Sequence, residues 1–319
     1  MKAKIFAVLI FTINFSFAQN SSQLVKKSID LIKNNEISKL DKTYPKIWSE
    51  YLKENVPYYQ NAIKEIKEKQ YNSALLNIDS LISEGYFLDE IINDKNFSAL
   101  HQEENWKKIQ SKIKSEKSSY NNKVRKELIK VRDKDQSIRL IVLDVRKNSN
   151  DSLLIKKVNK KMKLIDNESA IIVSKIIDKY GWLGNDKIGT EANQTLFLGI
   201  QHIDDTIVQN KYLPVLKEAV KNGDAEPWHF AFLTDRILMN QGEKQIYGTQ
   251  TIISKDPKLS YVVPLQNPEK VDELRKEIGL DPLNDYLQEE GLSWNLEDYK
   301  NDLPRIERLY KERYEKQKK

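Results

Sequence analysis

The side chains best suited to chemistry lie in the second half of the chain. His202 sits in the string IQHIDD, three residues before Asp205, with Gln201 beside it. On a helix this spacing brings His202 and Asp205 to one face. There the carboxylate can fix the imidazole tautomer and leave the other ring nitrogen to act as a general base. The same pair is also what a buried histidine uses to satisfy its ring nitrogens, a purely structural role. Asp235 and Arg236 follow in LTDR, and neighbours on a helix point about 100° apart, so the two cannot serve one partner. Arg236 can clamp an anionic ligand through its planar guanidinium, or pair with Asp204 or Asp205 across helices. His229 falls on the same side of that helix as Arg236, but Trp228 and Phe230 beside it mark it as a core-edge histidine.

The string QIYGTQ that follows is rich in hydrogen-bonding groups. As a strand it sends Gln245, Tyr247 and Thr249 to one face and Ile246, Gly248 and Gln250 to the other. That polar face suits a ligand groove, with Gly248 allowing close backbone approach; the alternative is a solvated sheet face with a bulge at the glycine. Upstream, Gln136 and Arg139 stand one turn apart on a long helical pattern and can join either arrangement. In the enzyme version His202 is the base, Asp205 or Asp235 orients it, and Arg236 with Gln250 stabilises negative charge.

Other chemistries lack their motifs. His101, His202 and His229 are the only histidines, there is no cysteine, and no helix carries an HExxH pair. A zinc site would therefore have to be assembled from distant carboxylates. No GxSxG elbow, phosphate-cradling GxxxxGK[ST] or GxGxxG is present, and GWLGNDKIG reads as a helix stop and loop. No cofactor is expected.

The elements that must position these groups are mostly helices. Ten glycines and nine prolines punctuate 319 residues, and apolar residues recur three and four apart through most of the intervals. Early in the chain Tyr59, Ala62, Ile63 and Ile66 form one stripe and Ala74, Leu75, Ile78, Leu81 and Ile82 another, ending at Gly85. This predicts a helical hairpin. It resembles a tetratricopeptide-type unit without the usual glycine before the aromatic residue, and its apolar face needs covering by helices over 23–34 and 97–109. The polar stretch SKIKSEKSSYNN at 111–122 marks the expected domain boundary. Beyond it the periodicity predicts helices over 124–145, 153–180, 190–209, 214–221, 228–240 and 269–278. QIYGTQTIIS and LSYVVPL predict a small hairpin. The fold class is mainly α: a helical N-terminal region over 19–115, a helical domain with one β-hairpin over 120–302, and a charged tail over 303–319.

Between about 120 and 290, five strings in order resemble an uncharacterised bacterial family known only as a domain of unknown function: KELIKVRDKDQSIR, YGWLG, IQHIDD, AFLTDRILMNQGEKQIYGTQ and RKEIGLDPLNDYL. The resemblance identifies candidate residues rather than a reaction.

The first eighteen residues have the grammar of a cleavable export signal: Lys2 and Lys4, an apolar run from Ile5 to Phe17, and Ser16 and Ala18 before the cut. Thr12, Asn14 and Ser16 interrupt the run, which falls short of the roughly 18 to 20 apolar residues of a membrane span. Export with no cysteine excludes disulfides and a lipid-modified N-terminal cysteine. Loss of the signal removes two lysines and no acid, leaving 51 basic against 47 acidic residues. Interleaved signs at that balance argue against a nucleic-acid binder. The one basic stretch, Lys107 to Asp133, has ten Lys or Arg against three acids. It suits an anionic surface or the wet face of a connecting helix. The expected protein is periplasmic or secreted and binds a small polar ligand or peptide. The alternatives are a cell-envelope hydrolase built on His202, and a protein that docks partners on its N-terminal hairpin.

Overall fold

The computed structural model describes residues 19–317 apart from Lys255 and Glu290. The export signal therefore lies outside the described residues. The chain forms two compact units that divide between Gly199 and Ile200.

The first unit is helical throughout its described residues. It contains α1 (Gln19–Lys33), α2 (Tyr44–Asn55), α3 (Pro57–Lys67), α4 (Tyr71–Ser83), α5 (Trp106–Ser118), α6 (Asn122–Asn148), α7 (Ser152–Tyr180), the short α8 (Asn185–Ile188) and most of α9 (Thr190–Gln201). The expected hairpin is α3 and α4, with Ala62 and Ala74 fully buried and letting the helices approach closely. Phe97, Leu100, Trp106 and Ile109 are buried beside it, whereas α1, the other expected cover, packs mainly against α2 and α6. The polar stretch at 111–122 lies inside the first unit. α6, which starts just after it, packs against α1 and α2, and the Ser137 hydroxyl donates to the Tyr44 carbonyl at 2.7 Å. A polar stretch marks exposure, and here it is the wet end of α5 and the Asn121 cap of α6.

α6 and α7 form an antiparallel pair joined at Asp151, whose carboxylate caps α7 by accepting from the Leu153 and Leu154 amides. α9 crosses α7 at Gly199. A Cβ on this glycine would stand 2.6 Å from Val173 Cγ2 and 3.0 Å from Val173 Cβ, so no larger residue fits without moving a fully buried valine. Gly199→Ala is expected to lower stability by about 1–3 kcal/mol through overpacking, and Val173→Ala in the same chain should restore part of the loss. Equal melting temperatures for wild type and Gly199→Ala would overturn this account of the crossing.

The second unit holds α10 (Thr206–Asn222), α11 (Pro227–Gln241), strands β1 (Thr251–Ile252) and β2 (Tyr261–Val262), α12 (Val271–Glu277), α13 (Leu283–Glu289) and α14 (Leu296–Gln317). α10 packs on α11. The helix expected over 190–209 is two helices, because Asp205 starts a new one: its carboxylate accepts from the Ile207 and Val208 amides at 2.9 and 3.2 Å. The hairpin exists but is short, pairing Thr251 with Val262 and Ile252 with Tyr261. QIYGTQ lies before it as a turn, touching the sheet region only through a bridge between Gln245 and Leu265. The C-terminal segment, expected as a charged, solvated helix end, belongs to α14, with Ile306 and Tyr310 buried and most other side chains after Ile306 exposed. Tyr299 Oη accepts from the Leu265 amide at 2.7 Å, and Tyr310 Oη donates to the carbonyls of Met239 and Glu243 at 3.0 and 2.9 Å.

Candidate functional site

Asp235 is the most enclosed of the expected site residues. It sits on α11 with no exposed surface, and the following turn wraps around its carboxylate. Oδ1 accepts from the amides of Ile246 and Tyr247 at 2.8 and 3.1 Å. Oδ2 accepts from the amides of Tyr247 and Thr249 at 3.1 and 3.0 Å and from the Thr249 hydroxyl at 2.9 Å. Burial pushes the Asp235 carboxyl up, and these donors pull it back toward the ionised form. The arrangement converts QIYGTQ from a strand into a loop that supplies the donors an isolated buried carboxylate needs.

The other polar residues of that loop complete the same knot. Gln245 Nε2 donates to the carbonyls of Gln250 and Val263 at 3.0 and 2.7 Å, while its Oε1 accepts from the Gln250 amide at 2.8 Å. Gln250 Nε2 donates to the Thr249 hydroxyl at 3.0 Å. Arg275 braces the turn from outside, with Nη1 2.7 Å from the Tyr247 carbonyl and the guanidinium over the Tyr286 ring. Gln245, Thr249 and Gln250 are buried, and Tyr247 is half-buried. Gly248 adopts φ +72° with Leu283 Cδ1 2.8 Å from where a Cβ would stand, so the close approach expected at this glycine is to a leucine of α13.

His202 is half-buried in the bend between α9 and α10. Asp205 is the cap of the next helix, so the two do not share a helical face. Arg236 is half-buried on α11, one position beyond the caged Asp235. His229 is sealed at the start of α11 with 1% exposure, its ring edge against Trp228 at a centroid distance of 4.0 Å. Burial alone pulls its pKa down to about 3.

Gln201 stands apart from every other buried glutamine. Its side chain is 1% exposed, and neither Oε1 nor Nε2 has a hydrogen-bond partner among the described residues. The neighbouring Gln209 shows the contrast, with Nε2 donating to the carbonyls of Ile200, Gln201 and Ile203 at 3.3, 3.3 and 2.9 Å. A buried amide left without partners costs about 1–3 kcal/mol, and such groups are met by an ordered water or a ligand. Gln201 thus presents one donor and one acceptor from the last turn of α9.

In the first unit the structure joins Gln136 and Arg139 to two carboxylates absent from the expected set. Arg139 Nη1 lies 3.0 Å from Asp135 Oδ1, and its Nη2 donates to Asp166 Oδ1 at 2.7 Å, linking α6 to α7. Gln136 Nε2 donates to Asp135 Oδ2 at 2.6 Å. A second buried set was not legible in the spacing. Glu191 of α9 bridges Arg125 and Arg132 of α6, with Arg125 also on Asp89 at 2.9 Å and Arg132 on Asp133 at 2.8 Å. Burying ions requires this degree of pairing, and the network fastens α9 and the residues after α4 to α6.

The same unit carries an open cleft of about 1000 Å³ lined by α1 and α2, with Lys27, Lys46, Lys95, Glu50 and Glu90 on its walls. Ser49 Oγ donates to Glu90 at 2.7 Å, and burial pushes the Glu90 carboxyl up against that bond.

With this geometry in view, the chain belongs to a family of unknown function, DUF6624, whose model matches residues 122–296, more than half of its length. No curated protein and no solved structure matches. The matched segment contains α6 to α13, and with them Gln201, His202 and the Asp235 cage.

Proposed function

We propose that the chain is an exported binding module for a small polar ligand or peptide, with the Gln201 amide as its recognition group. The carrying observation is the missing pair of partners on Gln201 in a structure that satisfies the side-chain amides of Gln209, Gln245 and Gln250. A donor and an acceptor on one rigid buried group complement a ligand that offers both, as a peptide bond or carboxamide does. The test is a thermal-shift series with short peptides and amino-acid amides on wild type and Gln201→Leu. The leucine variant is expected to melt higher than wild type when unliganded, by roughly 1–3 kcal/mol of relieved desolvation, and to lose the ligand-induced shift. A variant that melts lower, or keeps the shift, would sink the assignment.

The hydrolase alternative receives no support from Asp205 or Asp235, since a helix cap and a backbone cage engage those carboxylates. The cleft lined by α1 and α2 favours partner docking as a second reading, with the site there rather than on the α3–α4 hairpin. Its walls carry both signs of charge, which suits an extended segment bearing both. Lys46→Glu should weaken capture of such a partner and leave the Gln201-dependent shift unchanged. Loss of both together would argue against separate sites.

A further inference from the structure

The outer face of α7 carries a pattern that the binding reading does not use. Leu153, Leu164 and Ile171 are 62%, 48% and 55% exposed. They are eleven and seven residues apart, so at about 100° per residue they fall within roughly 20° of one line along the helix. Single exposed apolar residues are ordinary, but three large ones aligned on a helix of 29 residues are not. Lys156, Lys160 and Lys175 flank that line and are exposed, with no carboxylate within ion-pair distance of any of them among the described residues. Glu168 and Asp178 are the acids on this side of the helix.

The neighbouring helix extends the surface. A groove of about 520 Å³ runs between α6 and α7, with Lys123, Lys126, Lys130 and Lys134 along one bank, Ile165 and Ile172 on the other, and Glu127 and Glu168 as its only acids. Lys134 is paired with Asp41 at 3.1 Å, whereas Lys123, Lys126 and Lys130 face no carboxylate at ion-pair distance among the described residues. Ile165 and Ile172 directly follow Leu164 and Ile171, so the apolar line of α7 forms the outer shoulder of this groove.

We propose that this face is a peripheral binding surface for an anionic phospholipid bilayer. An aliphatic line at the centre with lysines on both sides is the pattern of a helix lying in the headgroup region, where long lysine stems cover apolar surface while their ammonium groups reach phosphates. A protein partner is less well matched, because the exposed line of α7 has no arginine or aromatic anchor, and the one aromatic of the helix, Tyr180, stands at its last position about 180° around from Leu153. No helix among the described residues is long and apolar enough to cross a membrane, so the association is by adsorption.

The experiment is sedimentation of the processed chain, from residue 19 onward, with vesicles of phosphatidylglycerol and phosphatidylcholine, and with phosphatidylcholine alone. Binding is expected to the anionic vesicles only and to weaken as salt is raised. Lys156→Gln/Lys160→Gln/Lys175→Gln should weaken it by more than roughly tenfold. Leu164→Ser/Ile171→Ser should weaken it while leaving the circular dichroism spectrum unchanged. Equal binding to both vesicle types, no binding to either, or retained binding in both variants would overturn the proposal. So would a dimer in light scattering that Leu164→Ser/Ile171→Ser dissociates, since the face would then belong to a second copy of the chain.

Discussion

Asp235→Ala is expected to remove about 3–5 kcal/mol of stability from the second unit, because three backbone amides lose their buried acceptor at about 1–3 kcal/mol each. The substitution leaves the amides of Ile246, Tyr247 and Thr249 without their acceptor, and each of those donors is at 3.1 Å or less in the native state. Asp235→Asn should recover little, because an amide group turns one acceptor oxygen into a donor that meets other donors. Thr249→Val removes only the hydroxyl bond and should lose about 1 kcal/mol. Chemical denaturation of the three variants measures the order. Two units make a single two-state fit unsafe, so the transition is best followed through the tryptophans of the second unit. A loss below about 1 kcal/mol for Asp235→Ala would mean that water replaces the carboxylate, and the cage would not be the organising feature of the turn.

The second large effect is a loss of stability in mild acid that traces to one residue. His229 is neutral and sealed in the fold, with a pKa pulled down to about 3, against 6.5 for an exposed histidine. Between those values the unfolded chain binds a proton that the folded chain excludes, so stability is fully present above pH 6.5 and falls as pH drops toward 3. At about 1.4 kcal/mol per pH unit, roughly 2 kcal/mol is gone by pH 5 and about 4–5 kcal/mol by pH 3. The carboxyls of Asp89 and Asp94 are held below their usual range by cationic and hydrogen-bonding neighbours, so their contribution is lost lower in pH. In His229→Phe the slope of unfolding free energy against pH between 6.5 and 4.5 should become shallower by about 1.4 kcal/mol per unit. Parallel slopes for wild type and variant would place the acid sensitivity elsewhere.

Much of the fold was readable from periodicity. The α3–α4 hairpin, the long α6 and α7, and α11 appear where apolar residues recur at helical spacing, because each buries one stripe and wets the rest. What escaped was set by single side chains acting over distance. Asp205 ended one helix and began the next with two amide bonds; an acid before a threonine is a cap signal that the surrounding apolar pattern outweighed. QIYGTQ has the alternation of a strand, but the acceptor that bends it lies on the preceding helix, eleven to fourteen residues back from its donors. Alternation reports which faces can be buried and is silent on a remote carboxylate. The stretch at 111–122, which suggested a boundary, lies inside one packed unit, while the family match begins at residue 122. Charge density at 111–122 describes solvent contact at a helix end, while α6 packs against α1 and α2 and bonds the Tyr44 carbonyl through Ser137. Of the candidate site, the residue types were legible and their states were not. Gln201 and Gln245 look alike in the sequence, yet one is left without partners and the other is fully bonded.

The docking of α14 bears on the order in which the second unit can close. Leu265 and the end of α11 are bonded by Tyr299 and Tyr310, which lie 34 and 71 residues further along the chain than Leu265 and Met239. Those amide and carbonyl groups gain their protein partners only after a long loop has closed, a step whose entropy cost precedes its reward. The last contacts of this unit are therefore non-local ones, made by a helix that the sheet region must wait for.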